Sequence, residues 1–110
     1  MSYRYQQFKI FSTRDNLQLD ALACIPDKIE GVLQITHGMC EMKERYKTFM
    51  GYMADKGYLC VIHDHRGHGE SIKSDEDLGY FYDGGYKAMV EDIFTVMGAV
   101  KAHLAPDIPY

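Results

Sequence analysis

Thr36-His37-Gly38-Met39 and, one helix and one strand later, Asp64-His65-Arg66-Gly67-His68-Gly69-Glu70-Ser71 are the two stretches around which the chain is organised. Each follows a short apolar run, Val32 to Ile35 and Tyr58 to His63, and each reads as a loop leaving the end of a buried strand. Loops at strand ends on one edge of a parallel sheet are where α/β proteins hold their chemistry. The pair therefore predicts an α/β class and the place to look for a site.

Between the two stretches, Tyr46, Phe49, Met50 and Met53 fall at i, i+3, i+4 and i+7, which predicts a helix over Glu44 to Lys56. Gly57 sits where a left-handed cap belongs. A strand, a helix and a strand this close predict a right-handed crossover and so a parallel pair. Upstream, Tyr3 to Phe11 and Leu17 to Ile25 read as extended runs, with Leu17, Leu19, Ala21, Ala23 and Ile25 alternating with Gln18, Asp20, Leu22 and Cys24. The Arg14-Asp15-Asn16 turn joins them into an antiparallel hairpin. Downstream, Ile72 to Asp83 is acidic and irregular and predicts a solvated loop. Asp83 is the expected N-cap of a second helix whose stripe is Tyr86, Met89, Val90, Ile93, Met97, Val100 and Leu104, ended by Pro106. Tyr110 would open another strand.

The chain has 110 residues, 46% hydrophobic and 25% charged, which fits one globular core and argues against disorder. A net charge of −4 with scattered Lys and Arg argues against nucleic acid. No run reaches the roughly 20 apolar residues of a transmembrane helix, and no secretory leader is evident, so cytoplasm is the default compartment. Cys24, Cys40 and Cys60 lack C-x-x-C spacing, which excludes a disulfide framework or zinc ribbon. No cofactor motif is present, and none is expected.

His-Gly after a buried strand can turn sharply and aim the following N–H groups at a developing negative charge, although it also occurs as a plain strand-to-helix turn. In Asp64-x-Arg66-Gly67-x-Gly69-x-Ser71 the glycines allow a tight excursion that Asp64 and Arg66 can pin by hydrogen bonds, so these charges are expected to be structural. Ser71 imitates part of a nucleophile elbow, but position 73 is Lys and Ser71 lies well past the strand end. Cys40 has no base placed to make its thiolate. His63, His65 and His68 have an H-x-H-x-x-H spacing that could bind zinc, with Gly67 where the comparable metal loop carries Asp.

His37-Gly38-Met39-Cys40-Glu41-Met42-Lys43-Glu44-Arg45-Tyr46 with Asp64-His65-Arg66-Gly67-His68-Gly69-Glu70-Ser71 resembles the lysophospholipase and monoacylglycerol lipase branch of the α/β-hydrolases. That branch carries H-G-x-x-E-H-x-x-R-Y and then D-H-R-G-H-G-x-S; Met42 stands in place of the second His. The resemblance covers essentially the whole chain and implies the N-terminal portion of an α/β-hydrolase, a single partial domain over 1–110. It implies that Met39 N–H is one oxyanion donor, shaped by His37 and Gly38, with Asp64, Arg66, Gly67 and Gly69 as a structural loop. The Ser, acid and His of a triad would all lie beyond Tyr110, so the chain by itself is expected to be inactive. The implied strand order is first, second, fourth, third, then a fifth. That order leaves Val32 to Thr36 an open edge, to be paired by the C-terminal remainder or by a second copy. A non-catalytic self-associating module is the alternative, and a metal-dependent hydrolase built on the His63/His65/His68 loop is a further one. The substrate would be a small ester or lipid.

Overall fold

In the computed structural model, which describes residues 2–38, 43–82 and 84–104, the order of elements follows the apolar runs. Strands β1 (Tyr3–Phe11) and β2 (Gln18–Pro26) pair antiparallel from Tyr3↔Pro26 to Phe11↔Gln18. Asn16, at φ 57, supplies the left-handed residue that their turn needs. Strand β3 (Gly31–Ile35) leads through a 3-10 turn at Lys43–Tyr46 into helix α1 (Lys47–Ala54), and strand β4 (Tyr58–His63) returns parallel to β3. A second 3-10 turn, Asp75–Asp77, precedes helix α2 (Gly85–His103). The sheet order is β1-β2-β4-β3, as the resemblance implies.

The two helices lie on opposite faces of this sheet. Leu19, Ala23 and Ile25 of β2, Val32, Leu59 and Val61 pack with Val96 and Val100 of α2. Leu22, Cys24, Cys60 and Ile62 pack with Met50 and Ala54 of α1. Strand β2 is thus buried on both faces because it is central, paired with β1 on one side and β4 on the other. Cys24 and Cys60 face each other across that second pairing as small buried apolar groups.

Three expectations need correction. The first α-helix is shorter than Glu44 to Lys56, since its first turn is 3-10, and Phe49 lies on its flank, 47% exposed, while Met50 and Ala54 carry the contact. Gly57, at φ 96, does close the helix. On α2 the buried line is Ala88, Asp92, Val96 and Val100. Tyr86 and Val90, expected on the inner face, are exposed, because the small Ala88 and the ion-paired Asp92 let the helix approach the sheet on that line. The helix begins after Gly84 in a left-handed conformation, while Asp83, the expected cap, lies outside the described residues.

The stretch 72–82 is strapped down rather than free. Gly79 N–H donates to Gly67 O at 2.6 Å, and Tyr82 Oη accepts from Lys73 N–H and donates to Asp77, both at 2.8 Å. Finally, β3 has no strand partner on its outer edge among the described residues, and Leu33, Gln34 and Ile35 there are half-buried. No helix among the described residues is long and apolar enough to cross a membrane.

Candidate functional site

Strands β3 and β4 run parallel, so the segments after Ile35 and after His63 leave the sheet side by side. Their first residues are interlocked. His37 Nε2 accepts the backbone N–H of His65 at 2.9 Å, and His65 Nε2 returns a bond to His37 O at 3.1 Å. With Nε2 of His37 accepting, its proton belongs on Nδ1, which faces Gly38 O at 2.7 Å. The two rings lie 4.4 Å apart between centroids, tilted at 60° to each other.

Asp64, one residue earlier, holds the far end of the same segment. Its Oδ1 accepts Lys43 N–H at 2.7 Å, and its Oδ2 accepts Lys43 Nζ at 2.9 Å and Glu70 N–H at 3.0 Å. Adjacent residues of the second loop, Asp64 and His65, therefore grip both ends of the stretch that contains Met39. Met39 itself, with Cys40, Glu41 and Met42, lies outside the described residues.

Arg66 is wholly buried and reaches three segments at once. Its guanidinium forms a two-pronged pair with Asp92 of α2 at 2.7 and 3.1 Å and another with Asp15 of the hairpin turn at 2.9 and 3.1 Å. It also donates to Ser12 Oγ at 2.9 Å and Phe81 O at 3.1 Å. The Arg66 bonds hold the Asp15 carboxyl below its usual range.

The two glycines have specific reasons. At Gly67, φ 77, a Cβ would collide with the Tyr80 carbonyl, and at Gly69, φ 50, with the Asp64 carboxylate. Ser71 is fully buried, and its Oγ accepts Asp20 N–H at 2.9 Å, so it is a structural hydroxyl rather than a nucleophile.

Among the described residues, His63, His65 and His68 do not bring their ring nitrogens together in a convergent ligand group. His65 Nε2 and His68 Nδ1 are turned to the carbonyls of His37 and Arg66, and ring centroids lie 5.2 Å (His63 to His65) and 6.4 Å (His65 to His68) apart. Burial, with the neighbouring His65 and His37, lowers His63 to about 3; burial and His37 lower His65 to about 4. Both are neutral at pH 7. Among the described residues the carboxylates that do converge are Asp20, Glu44 and Glu70. Lysines already occupy that cluster: Lys43 Nζ touches Asp20 and Glu44, and Lys9 Nζ touches Asp20 and Glu70.

Sequence reasoning missed Lys43, Asp20, Asp92, Asp15 and Ser12. Asp92 left a trace, a lone charge at i+4 spacing between Ala88 and Val96. Lys43 left none.

A family model described as serine aminopeptidase, S33, matches residues 27–109, which include both loops. The chain belongs to the serine aminopeptidase S33 family. Its architecture is that of the N-terminal portion of an α/β-hydrolase, and solved structures agree. A thermostable carboxyl esterase from Bacillus coagulans, solved with glycerol, is 30% identical, with TM-score 0.76 over 100% of this chain and 35% of its own. A lipase in an open form is 24% identical, with TM-score 0.77 over 96% of this chain and 34% of its own. A cold-adapted esterase from an Arctic intertidal metagenomic library shares the fold at 18% identity and TM-score 0.78, over 99% of this chain and 49% of its own. The S33 chain thus spans about a third to a half of the length of these structures. No curated protein matches it.

Proposed function

We propose that these residues are the N-terminal part of a serine ester hydrolase of the lysophospholipase and monoacylglycerol lipase type, a single partial domain over 1–110. The part supplies one oxyanion donor, Met39 N–H, and leaves the triad to the remainder of the hydrolase, with cytoplasm as its compartment. The observation that carries this reading is the grip of Asp64 and His65 on both ends of the Met39 segment. An oxyanion donor is effective only if it is held in place before charge develops, and one such donor lowers a tetrahedral transition state by about 2–4 kcal/mol. His37, locked by His65, and the buried Asp64 spend their bonds on the loop. They hold no group free for acid–base work, in keeping with a supporting role.

The test has two arms. The 110-residue chain alone is expected neither to hydrolyse a short-chain p-nitrophenyl ester nor to be labelled by a fluorophosphonate; saturable, reagent-sensitive hydrolysis would overturn the assignment. In the complete hydrolase, Met39→Pro, which removes the N–H, is expected to lower kcat by about 10²–10³. A second reading, a non-catalytic module that self-associates, is favoured by the outer edge of β3, which has no strand partner among the described residues. A concentration-dependent mass in sedimentation, abolished by Leu33→Lys, would support it.

A further inference from the structure

Lys43 is the buried titratable group for which neither loop motif gives a reason. Its side chain is fully buried, and its ammonium reaches Asp20 at 2.5 Å, Glu44 at 2.7 Å and Asp64 at 2.9 Å. Burial alone would push this lysine down, but the three carboxylates outweigh it and hold it above its ordinary range. A fully buried lysine is rare unless paired. Such a network adds little stability over apolar side chains of equal volume; its better-attested use is to specify one arrangement.

The arrangement specified here is the exit of the Met39 segment. Lys43 is its first described residue and opens the 3-10 turn before α1. Its backbone N–H and its ammonium both end on Asp64 at the end of β4, while the same ammonium ends on Asp20 of β2. Two strands are thereby tied to one point of the loop. In the pattern H-G-x-x-E-H-x-x-R-Y, position 43 is one of those that specify no residue, so the motif itself does not call for the clamp.

We propose that Lys43 is a positioning residue: its ammonium, bridging Asp20 and Asp64, anchors the start of the turn into α1 to both β2 and β4, and the Met39 N–H depends on that anchor for its catalytic role. The catalytic half of this inference rests on the reading of Met39 as an oxyanion donor; the structural half does not.

The test compares Lys43→Met, which keeps the length and removes the charge, with Lys43→Arg, which keeps the charge, in the complete polypeptide carrying these residues. Amide hydrogen exchange at 43–46 is expected to speed up at least tenfold in Lys43→Met while β4 amides 59–63 stay within threefold. Lys43→Arg should recover part of the protection. In ester hydrolysis, kcat should fall at least tenfold with KM within threefold, and the Arg variant should again recover part. Unchanged turn exchange, equal acceleration at turn and β4, or an unchanged kcat would overturn the proposal. If Lys43→Met does not fold, Asp20→Asn, which weakens the β2 tie (and the exposed Lys9 pair) while leaving the Asp64 tie, should show the same pattern at threefold or more, and no change there overturns it equally. If no serine in the polypeptide reacts with a fluorophosphonate, the catalytic reading fails, and the exchange pattern still decides the clamp.

Discussion

The 64–71 loop and the β3 side of the sheet are held by different means. At the loop, the charges of the buried Arg66, Asp64 and Asp92 have partners and the Ser71 hydroxyl is used, while His65 Nδ1 and both ring nitrogens of His63 are buried with none. On the β3 side the outer edge lacks a strand partner among the described residues, and Leu33, Gln34 and Ile35 are only half-buried. Hydrogen-bonded charges fix one geometry, whereas apolar area is indifferent to which surface covers it. The chain therefore carries a loop platform fixed by paired charges beside a face that gains by further covering.

The largest expected effect breaks the loop. Arg66→Met removes the partner of fully buried Asp92 and of Asp15, and an uncompensated buried charge costs about 3–5 kcal/mol. Far-UV circular dichroism with urea should show a chain mostly unfolded without denaturant. Next is Gly69→Ala, which meets both a positive φ and the Asp64 carboxylate, with an expected loss of about 2–3 kcal/mol.

Acid should loosen the same region. His63 and His65 are neutral in the fold and protonate near pH 6.5 when unfolded, so the unfolded state binds more protons between those limits. Stability is then complete above about pH 6.5 and falls as pH drops toward about 4, where His65 begins to protonate in place, with His63 continuing toward about 3. For His63 the loss at pH 5 is on the order of 2 kcal/mol. Urea midpoints across pH 4–7.5 should show this slope, and His63→Leu should flatten it. The smallest effect is on the exposed apolar surface of α2: Phe94→Ser, at a position 64% exposed, should change stability by no more than about 0.5 kcal/mol by urea titration. An equally small effect from Arg66→Met, or a large one from Phe94→Ser, would erase the contrast.

Much of the fold was legible because strands and loops here obey local rules. The hairpin, the parallel pair and the end of α2 near His103 follow from apolar runs, turn residues and a terminating proline. The orientation of α2 was not legible. A periodicity of large apolar residues pointed to Tyr86 and Val90, yet the helix turns Ala88 and Asp92 inward, since Asp92 gains Arg66 only in the assembled fold. Of the site, the motif residues His37, Asp64, Arg66, Gly67 and Gly69 were visible in sequence. Their partners Asp20, Lys43 and Asp15 were not, because no spacing rule links residues 21 to 51 positions apart.

The sequence by itself determined the order of the elements, the two loops and the family they mark, because backbone preference, turn chemistry and motif spacing act within a few residues. Only the tertiary structure decided that Ser71 is a buried brace, that His65 and His68 turn ring nitrogens to backbone carbonyls, and that Lys43 lies inside the protein. Whether a hydroxyl, an imidazole or an ammonium is free to do chemistry depends on which distant groups have already claimed its hydrogen bonds.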